Sequence, residues 1–392
     1  MTTPEESVRL LAPSSVVEQV SRRAFLAGAG ATVVGSSVFL TACGSDETST
    51  GSTSGGADEP LEDQVFMYTW GEYDSPKVLK SFTKEYGPTL QLDSYNSNEQ
   101  MISKLIAAKG TGGFDLVVPT GPFIPQMVDN DLLEELDLTR LPNFENVDEA
   151  YLNQPWDEGN KYSVPKAWGT TGYAYDSSKI SKEMSTWQDF LDVATGEASG
   201  QVSILDSPDN LCGLYFWAND INWMTTDPAQ LDACEDYMVN QMAPHVKRFD
   251  SYPGGGGIAE GSYWLSHAWN GDARQGIIDS GGNDWKWVFP GPRTEIWMDN
   301  WCIPVGVENP NAAYAWINYV LDPKVSLEEL SYIGYHTAVK GIEPAANEAG
   351  LERLDIVFFT PEQVETMESG ELNDAQQRRV EISNKTKAAA GA

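Results

Sequence analysis

Between residues 64 and 119 the chain alternates apolar and amphipathic runs, and this alternation limits its fold more than any other feature. Val65-Phe66-Met67-Tyr68 reads as a strand. Ser75-Pro76 supplies a helix N-cap and first helical position, Val78, Leu79, Phe82 and Tyr86 share one helical face, and Gly87 ends the helix. A second strand is expected over 90–95. A second helix is expected over 97–109, with Met101, Ile102, Leu105 and Ile106 buried and Gly110 as its stop. Phe114-Asp115-Leu116-Val117-Val118-Pro119 is continuously apolar apart from its aspartate, as in a parallel strand covered on both faces. A β-α-β-α-β order with right-handed crossovers makes a doubly wound α/β sheet. Ligands of such sheets sit at the carboxyl ends of the strands, a rule that places Trp70-Gly71-Glu72-Tyr73 and Thr120 at one edge.

A second α/β unit is expected to begin near Gly169. Its strands are predicted over 171–175, 202–205, 265–269 and 285–289, and its helices over 187–193, 209–218, 228–242 and 273–280. Pro253 and the four glycines that follow it read as a loop. The chain then returns to the first unit through a strand over 295–303 and helices over 311–321 and 325–332. A length of 392 residues agrees with two domains.

The formal charge of −33 argues against nucleic acid and anionic lipid surfaces as partners and favours cationic ligands, although diffuse acidity also serves solubility or salt tolerance. The first 42 residues carry a twin-arginine stretch, Ser21-Arg22-Arg23-Ala24-Phe25-Leu26, then a small-residue apolar run, then Leu40-Thr41-Ala42-Cys43. This order looks like a bacterial lipoprotein signal over 1–42, with Cys43 lipidated as the first residue of the mature chain. Residues 43–63 read as a Gly/Ser/Thr-rich flexible tether with a reach of roughly 25 Å. The mature chain is thus expected outside the cytoplasmic membrane, held to it by lipid only. Cys212, Cys234 and Cys302 remain, and whether Cys212 and Cys234 pair is left open by the sequence. No Cys/His spacing marks a zinc site, the histidines are isolated, and neither a metal nor a cofactor is expected.

At the mouth of the first strand, Trp70, Glu72 and Tyr73 bring together an indole, a carboxylate and a phenol. Aromatic faces attract a small organic cation and carboxylates give it charge-assisted hydrogen bonds. The plainer alternative is a pair of core aromatics beside a solvated acid. Three later segments repeat the pattern of a carboxylate at a strand exit: Leu205-Asp206-Ser207-Pro208-Asp209, Trp269-Asn270-Gly271-Asp272 and Trp297-Met298-Asp299.

With Tyr95-Asn96-Ser97-Asn98-Glu99, Trp168-Gly169-Thr170 and Ile333-Gly334-Tyr335, these segments run in the order found in one family. The chain resembles the polyamine-binding proteins of the spermidine/putrescine ABC-importer class. The resemblance implies a two-lobed fold of the periplasmic-binding-protein type II, each lobe a doubly wound sheet flanked by helices. It implies lobe 1 over 64–168 and 297–340, lobe 2 over 169–296 and 341–385, and crossings near 168–171, 294–297 and 340–343. It further implies a monomer that binds a polyamine between the lobes and delivers it to a permease and its ATPase. Carried over position by position, Trp70, Tyr73, Trp269, Trp297 and Tyr335 would form an aromatic box, Glu72 and Asp299 would bind ammonium groups, and Thr120 would be a cleft hydroxyl. Asp272 matches an acidic position of the putrescine-type branch. The chain departs from the family at Pro122, next to Phe123, where a tyrosine is expected. It departs again at Ser207 and Asn210, where acids are expected and Asp206 and Asp209 lie nearby. A C-terminal glutamine contact falls near Leu372-Asn373.

Tryptophans beside carboxylates also suit sugars, but the segments above offer few side chains for many hydroxyls. From a different class, and least favoured, paired carboxylates such as Glu72 and Asp299 could make an extracellular glycosidase. No nucleophile-elbow or phosphate-loop motif supports catalysis, so no enzymatic activity is expected. An amine-sensing lipoprotein would have the same sequence signature.

Overall fold

The computed structural model of the chain describes residues 60–281 and 284–391, so the expected signal peptide, Cys43 and most of the expected tether lie outside the described residues. Strand β1 (Gln64–Trp70) is followed by α1 (Pro76–Tyr86), β2 (Thr89–Tyr95), α2 (Asn98–Ala108), β3 (Leu116–Val117) and a short α3 (Ile124–Asp129). The three strands pair in parallel in the order β2-β1-β3, the doubly wound arrangement expected.

The middle of the chain forms β4 (Val164–Asp176), α4 (Trp187–Thr195), β5 (Val202–Leu205), α5 (Pro208–Ala218), α6 (Pro228–Tyr237), β6 (Val246–Asp250), β7 (Leu265–Trp269), α7 (Asn270–Asp279), β8 (Trp285–Val288) and β9 (Thr294–Trp301). It continues through α8 (Pro310–Val320), α9 (Pro323–Ile333), β10 (His336–Thr337), α10 (Ile342–Glu348), α11 (Pro361–Val364), β11 (Met367–Ser369) and α12 (Gln376–Ala390).

Two long strands join the lobes. The first half of β4 pairs antiparallel with β9, and its second half pairs with β7 and β8. Beyond that pairing, β9 meets β3 through bridges between Thr120 and Asp299 and between Val117 and Cys302. One apolar core gathers Val65, Phe82, Trp297, Trp316 and Tyr335 around β1, and another gathers Trp187, Phe190, Trp217 and Leu265 around β5 and β7. Helix α12 closes the second core with Ile382.

Several local expectations are corrected. Ile106 is 47% exposed because Met101, Ile102 and Leu105 already fill the inner face of α2 and the next position turns outward. Tyr86 is likewise exposed on α1. Lys109, not Gly110, takes the left-handed conformation that ends α2, with φ 56°. The predicted 228–242 helix gives way after Tyr237 to a π-helical turn at Met238–Met242. The glycines after Pro253 form another such turn, Gly254–Ile258, rather than a loop. A Cβ on Gly254 would lie 2.3 Å from the Asp272 carbonyl oxygen, so glycine there lets the turn lie directly on α7. Strand β6 escaped the sequence because Lys247 and Arg248 hide its pattern, as charges on edge strands do.

Candidate functional site

The carboxyl ends of β1 and β3, the exit of β7 and the middle of β9 converge on a cleft of about 220 Å³. Its aromatic wall is built in layers. Trp70 donates its Nε1–H to the Val118 carbonyl at 3.1 Å, and Tyr95 donates its hydroxyl to the same oxygen. The two rings meet edge to face at 4.6 Å. Across from them Tyr73, Tyr335 and Trp297 form an edge-to-face chain with centroid spacings of 5.8 and 4.8 Å. Glycines seat this chain: a Cβ on Gly271 would lie 2.5 Å from the Tyr335 ring, and one on Gly169 would lie 2.5 Å from Trp297. Between them Asn270 is fully buried, accepting from the Thr170 N–H at 2.9 Å and donating to the Ile356 carbonyl at 2.8 Å.

Six carboxylates line the cleft: Glu99, Asp206, Asp209, Asp272, Glu295 and Asp299. Two of them already have cations. Asp209 pairs with Arg379 at 2.7 Å and Asp206 pairs with Lys387, both cations arriving from α12. Glu99 accepts from the Gln376 amide at 3.1 Å. Asp272, Glu295 and Asp299 are each no more than 9% exposed and form no ion pair among the described residues. Burial pushes all three carboxyls up to about 7. Hydrogen bonds offset this in part: Thr120 donates to Asp299 at 2.7 Å and Thr171 donates to Glu295 at 2.5 Å. Asn98 fixes Thr120, accepting from its backbone N–H and donating to its hydroxyl, each at 3.0 Å. No lysine or arginine lines the cleft among the described residues.

A second aromatic and acidic cluster lies directly behind Tyr73, sealed from solvent. Lys166 pairs with Asp74 at 2.7 Å, with both side chains at most 4% exposed. Its ammonium sits 4.5 Å from the Tyr73 ring centroid and 4.3 Å from that of Trp301. Thr69 donates to the other Asp74 oxygen at 3.0 Å. Glu329 accepts from the Ser75 N–H, and burial raises its carboxyl to about 8 although Lys166 pulls it down.

Of the residues expected from sequence, Trp70, Tyr73, Thr120, Asp206, Asp209, Trp269, Asp272, Trp297, Asp299 and Tyr335 all line the cleft. Glu72 does not; it is exposed, has a positive φ of 55°, and accepts from the Tyr332 hydroxyl at 2.7 Å. Phe123 lines the cleft where the family pattern has a tyrosine nearby, and Ser207 and Asn210 line its far side. Tyr95 and Asn98, which belong to a matching segment but have no binding role in the sequence reading, also line it, as do Tyr252 and Glu295, which that reading leaves out of the site. Glu295 carried a readable signal, since it stands two and four residues before Trp297 and Asp299 on one strand and therefore shares their face. Tyr252 carried none, because its position depends on the turn at Gly254–Ile258. The histidines stay away from the lining, and the described residues contain no metal-binding cluster.

The family model for bacterial extracellular solute-binding proteins matches residues 77–350. The spermidine/putrescine-binding periplasmic protein of Salmonella typhimurium is 32% identical over 70% of this chain and 77% of its own length. A putrescine/agmatine-binding protein of Pseudomonas aeruginosa is 27% identical over 82% of this chain and 90% of its own. The spermidine/putrescine ABC transporter substrate-binding protein from Streptococcus pneumoniae superposes with a TM-score of 0.69 at 27% identity, covering 84% of this chain and all of that one.

Proposed function

The chain belongs to the family of bacterial extracellular solute-binding proteins, and from that premise we propose that it is the binding component of an ABC importer, capturing a polyamine such as putrescine or spermidine between its lobes and delivering it to a permease. One observation carries the reading: Asp272, Glu295 and Asp299 are buried among aromatic rings with no ion pair among the described residues. A buried carboxylate without a partner costs several kcal/mol, and a ligand that brings ammonium groups relieves that cost while laying its methylenes on the rings. A sugar would need partners for many hydroxyls, whereas rings and carboxylates make up most of the lining and Asn98 is engaged by Thr120.

The binding groups divide by role. Trp70, Tyr73, Trp269, Trp297 and Tyr335 pack the hydrocarbon, Asp299 and Asp272 hold ammonium groups, and Thr120 orients Asp299. Asp206 and Asp209, neutralised by Lys387 and Arg379, shape the far end, and Glu72 guards the mouth. Each cation–π contact contributes about 0.5–2 kcal/mol and each buried methylene about 0.8 kcal/mol, enough for micromolar affinity after association costs. The lobes run over 64–168 with 297–340 and over 169–296 with 341–385, and closure around the amine makes the shape that the permease reads. The chain performs no chemistry on its ligand. A twin-arginine signal exports it, lipid on Cys43 holds it outside the cytoplasmic membrane, and it works as a monomer; the described residues include no helix long and apolar enough to cross a membrane.

The test is calorimetric titration of the mature protein with putrescine, cadaverine, spermidine, spermine and a panel of sugars. Binding of at least one amine, recovered unmodified, is expected; heat from sugars alone would sink the reading.

A further inference from the structure

On β9 the residues Glu295, Trp297 and Asp299 alternate with Ile296 and Met298. Alternate side chains of a strand share a face. All three of the first set line the cleft, whereas Ile296 and Met298 pack with Trp168 and Met367 on the opposite side. One strand thus presents an acid, an indole and an acid in a row. The two acids lie about 13 Å apart along the strand, at about 3.3 Å per residue.

The two ends of this row are held by different parts of the molecule. Asp299 is bridged to Thr120, next to β3, and accepts from its hydroxyl at 2.7 Å. Glu295 accepts at 2.5 Å from Thr171, where β4 has left β9 for β7. Asn210 and Asp209, from the start of α5, border Glu295. Asp209 has Arg379 for its own cation, while Asn210 brings no charge. Of these three neighbours Glu295, 8% exposed, is thus the acid with no ion pair among the described residues.

Resting on the polyamine reading above, we propose that Glu295, Trp297 and Asp299 act as a ruler on β9. Each acid takes one ammonium group of a single ligand, and Trp297 beds the methylenes between them. An extended chain advances about 1.25 Å per bond, so the terminal nitrogens of a four-carbon diamine stand about 6 Å apart and those of spermidine about 11 Å apart. Along β9 the shorter span reaches one acid and the indole, leaving its second ammonium to Asp272 as assigned above, and the longer span reaches both acids of the strand. The site therefore prefers a long polyamine, and Glu295 sets that preference.

The test is titration calorimetry of the mature wild type, Glu295→Gln and Asp299→Asn with 1,4-diaminobutane, 1,8-diaminooctane and spermidine. The wild type should bind the two long amines at least about tenfold tighter than the short one. Glu295→Gln keeps the shape and can still accept from Thr171. It should remove the gain for long amines while leaving 1,4-diaminobutane within about threefold of its wild-type affinity. Asp299→Asn should weaken all three. An equal loss for short and long amines in Glu295→Gln, no change in that variant, or a wild type indifferent to length would each overturn the ruler and leave amine binding intact. A wild type that binds no amine overturns the polyamine reading itself.

Discussion

Two clusters of aromatic rings and carboxylates share Tyr73 and β9, and they differ in where a cation can come from. In the sealed cluster Lys166 lies between Tyr73 and Trp301 with Asp74 as its counter-ion and Glu329 nearby. In the cleft Trp297 and Asp299 occupy the neighbouring stretch of the same strand, and no lysine or arginine lines that cluster among the described residues. The chain carries its own ammonium in one place and presents the same kinds of group to the outside in the other. The internal box is thus a working template for the ligand: a primary ammonium on four methylenes, held by one carboxylate and two rings. The difference between a core and a binding site here is whether the cation is covalently attached.

Removing the internal cation should have the largest effect. Lys166→Met leaves Asp74 buried without its partner and should cost about 3–5 kcal/mol in urea unfolding. A loss below about 1 kcal/mol would show that the pair contributes little net stability. Next comes the pH response of the ligand-free protein. Carboxyls held up to about 7 in the fold titrate near 4 when unfolded, so between these values the folded state holds more protons. Stability from each such group is therefore full below about 4 and is lost as the pH rises through 7; we expect a decline of roughly 2–3 kcal/mol per carboxyl between pH 5 and 8. Flat stability across that range would mean that water reaches these groups. Asp299→Asn should weaken amine binding at least about tenfold, near 1.4 kcal/mol, with the unfolding midpoint unchanged or raised. Trp70→Leu should cost about 0.5–2 kcal/mol of binding, read by the same titration. Glu72→Gln should change affinity by less than about 0.5 kcal/mol, since the exposed carboxylate is already engaged by Tyr332. A larger loss would bring Glu72 from the mouth into the site.

Much of this was legible in the residues because it rests on local periodicity. The alternation over 64–119 carried the parallel sheet, and the carboxyl-end rule carried Trp70, Tyr73 and Thr120 to the cleft. The return of the chain as β9 delivered Trp297 and Asp299 beside them. What escaped depends on tertiary pairing. The capture of Asp206 and Asp209 by Lys387 and Arg379 comes from a helix some 170–180 residues downstream. Lys166 looks like a break in an apolar run until Asp74 is set beside it, and only then does β4 read as one strand from Val164 to Asp176. Ile106 misled because helical hydrophobicity at one extra position looks like core until the face is already full.

Calorimetric titration at pH 7 with spermidine and with the neutral diol 1,8-octanediol, run in two buffers of different ionisation heat, asks directly whether the cleft is completed by an external cation. Micromolar binding of spermidine with about one to two protons released per ligand, and no binding of the diol, is the expected result, because ammonium groups should ionise carboxyls that are about half protonated at that pH. Spermidine binding no tighter than the diol would contradict it.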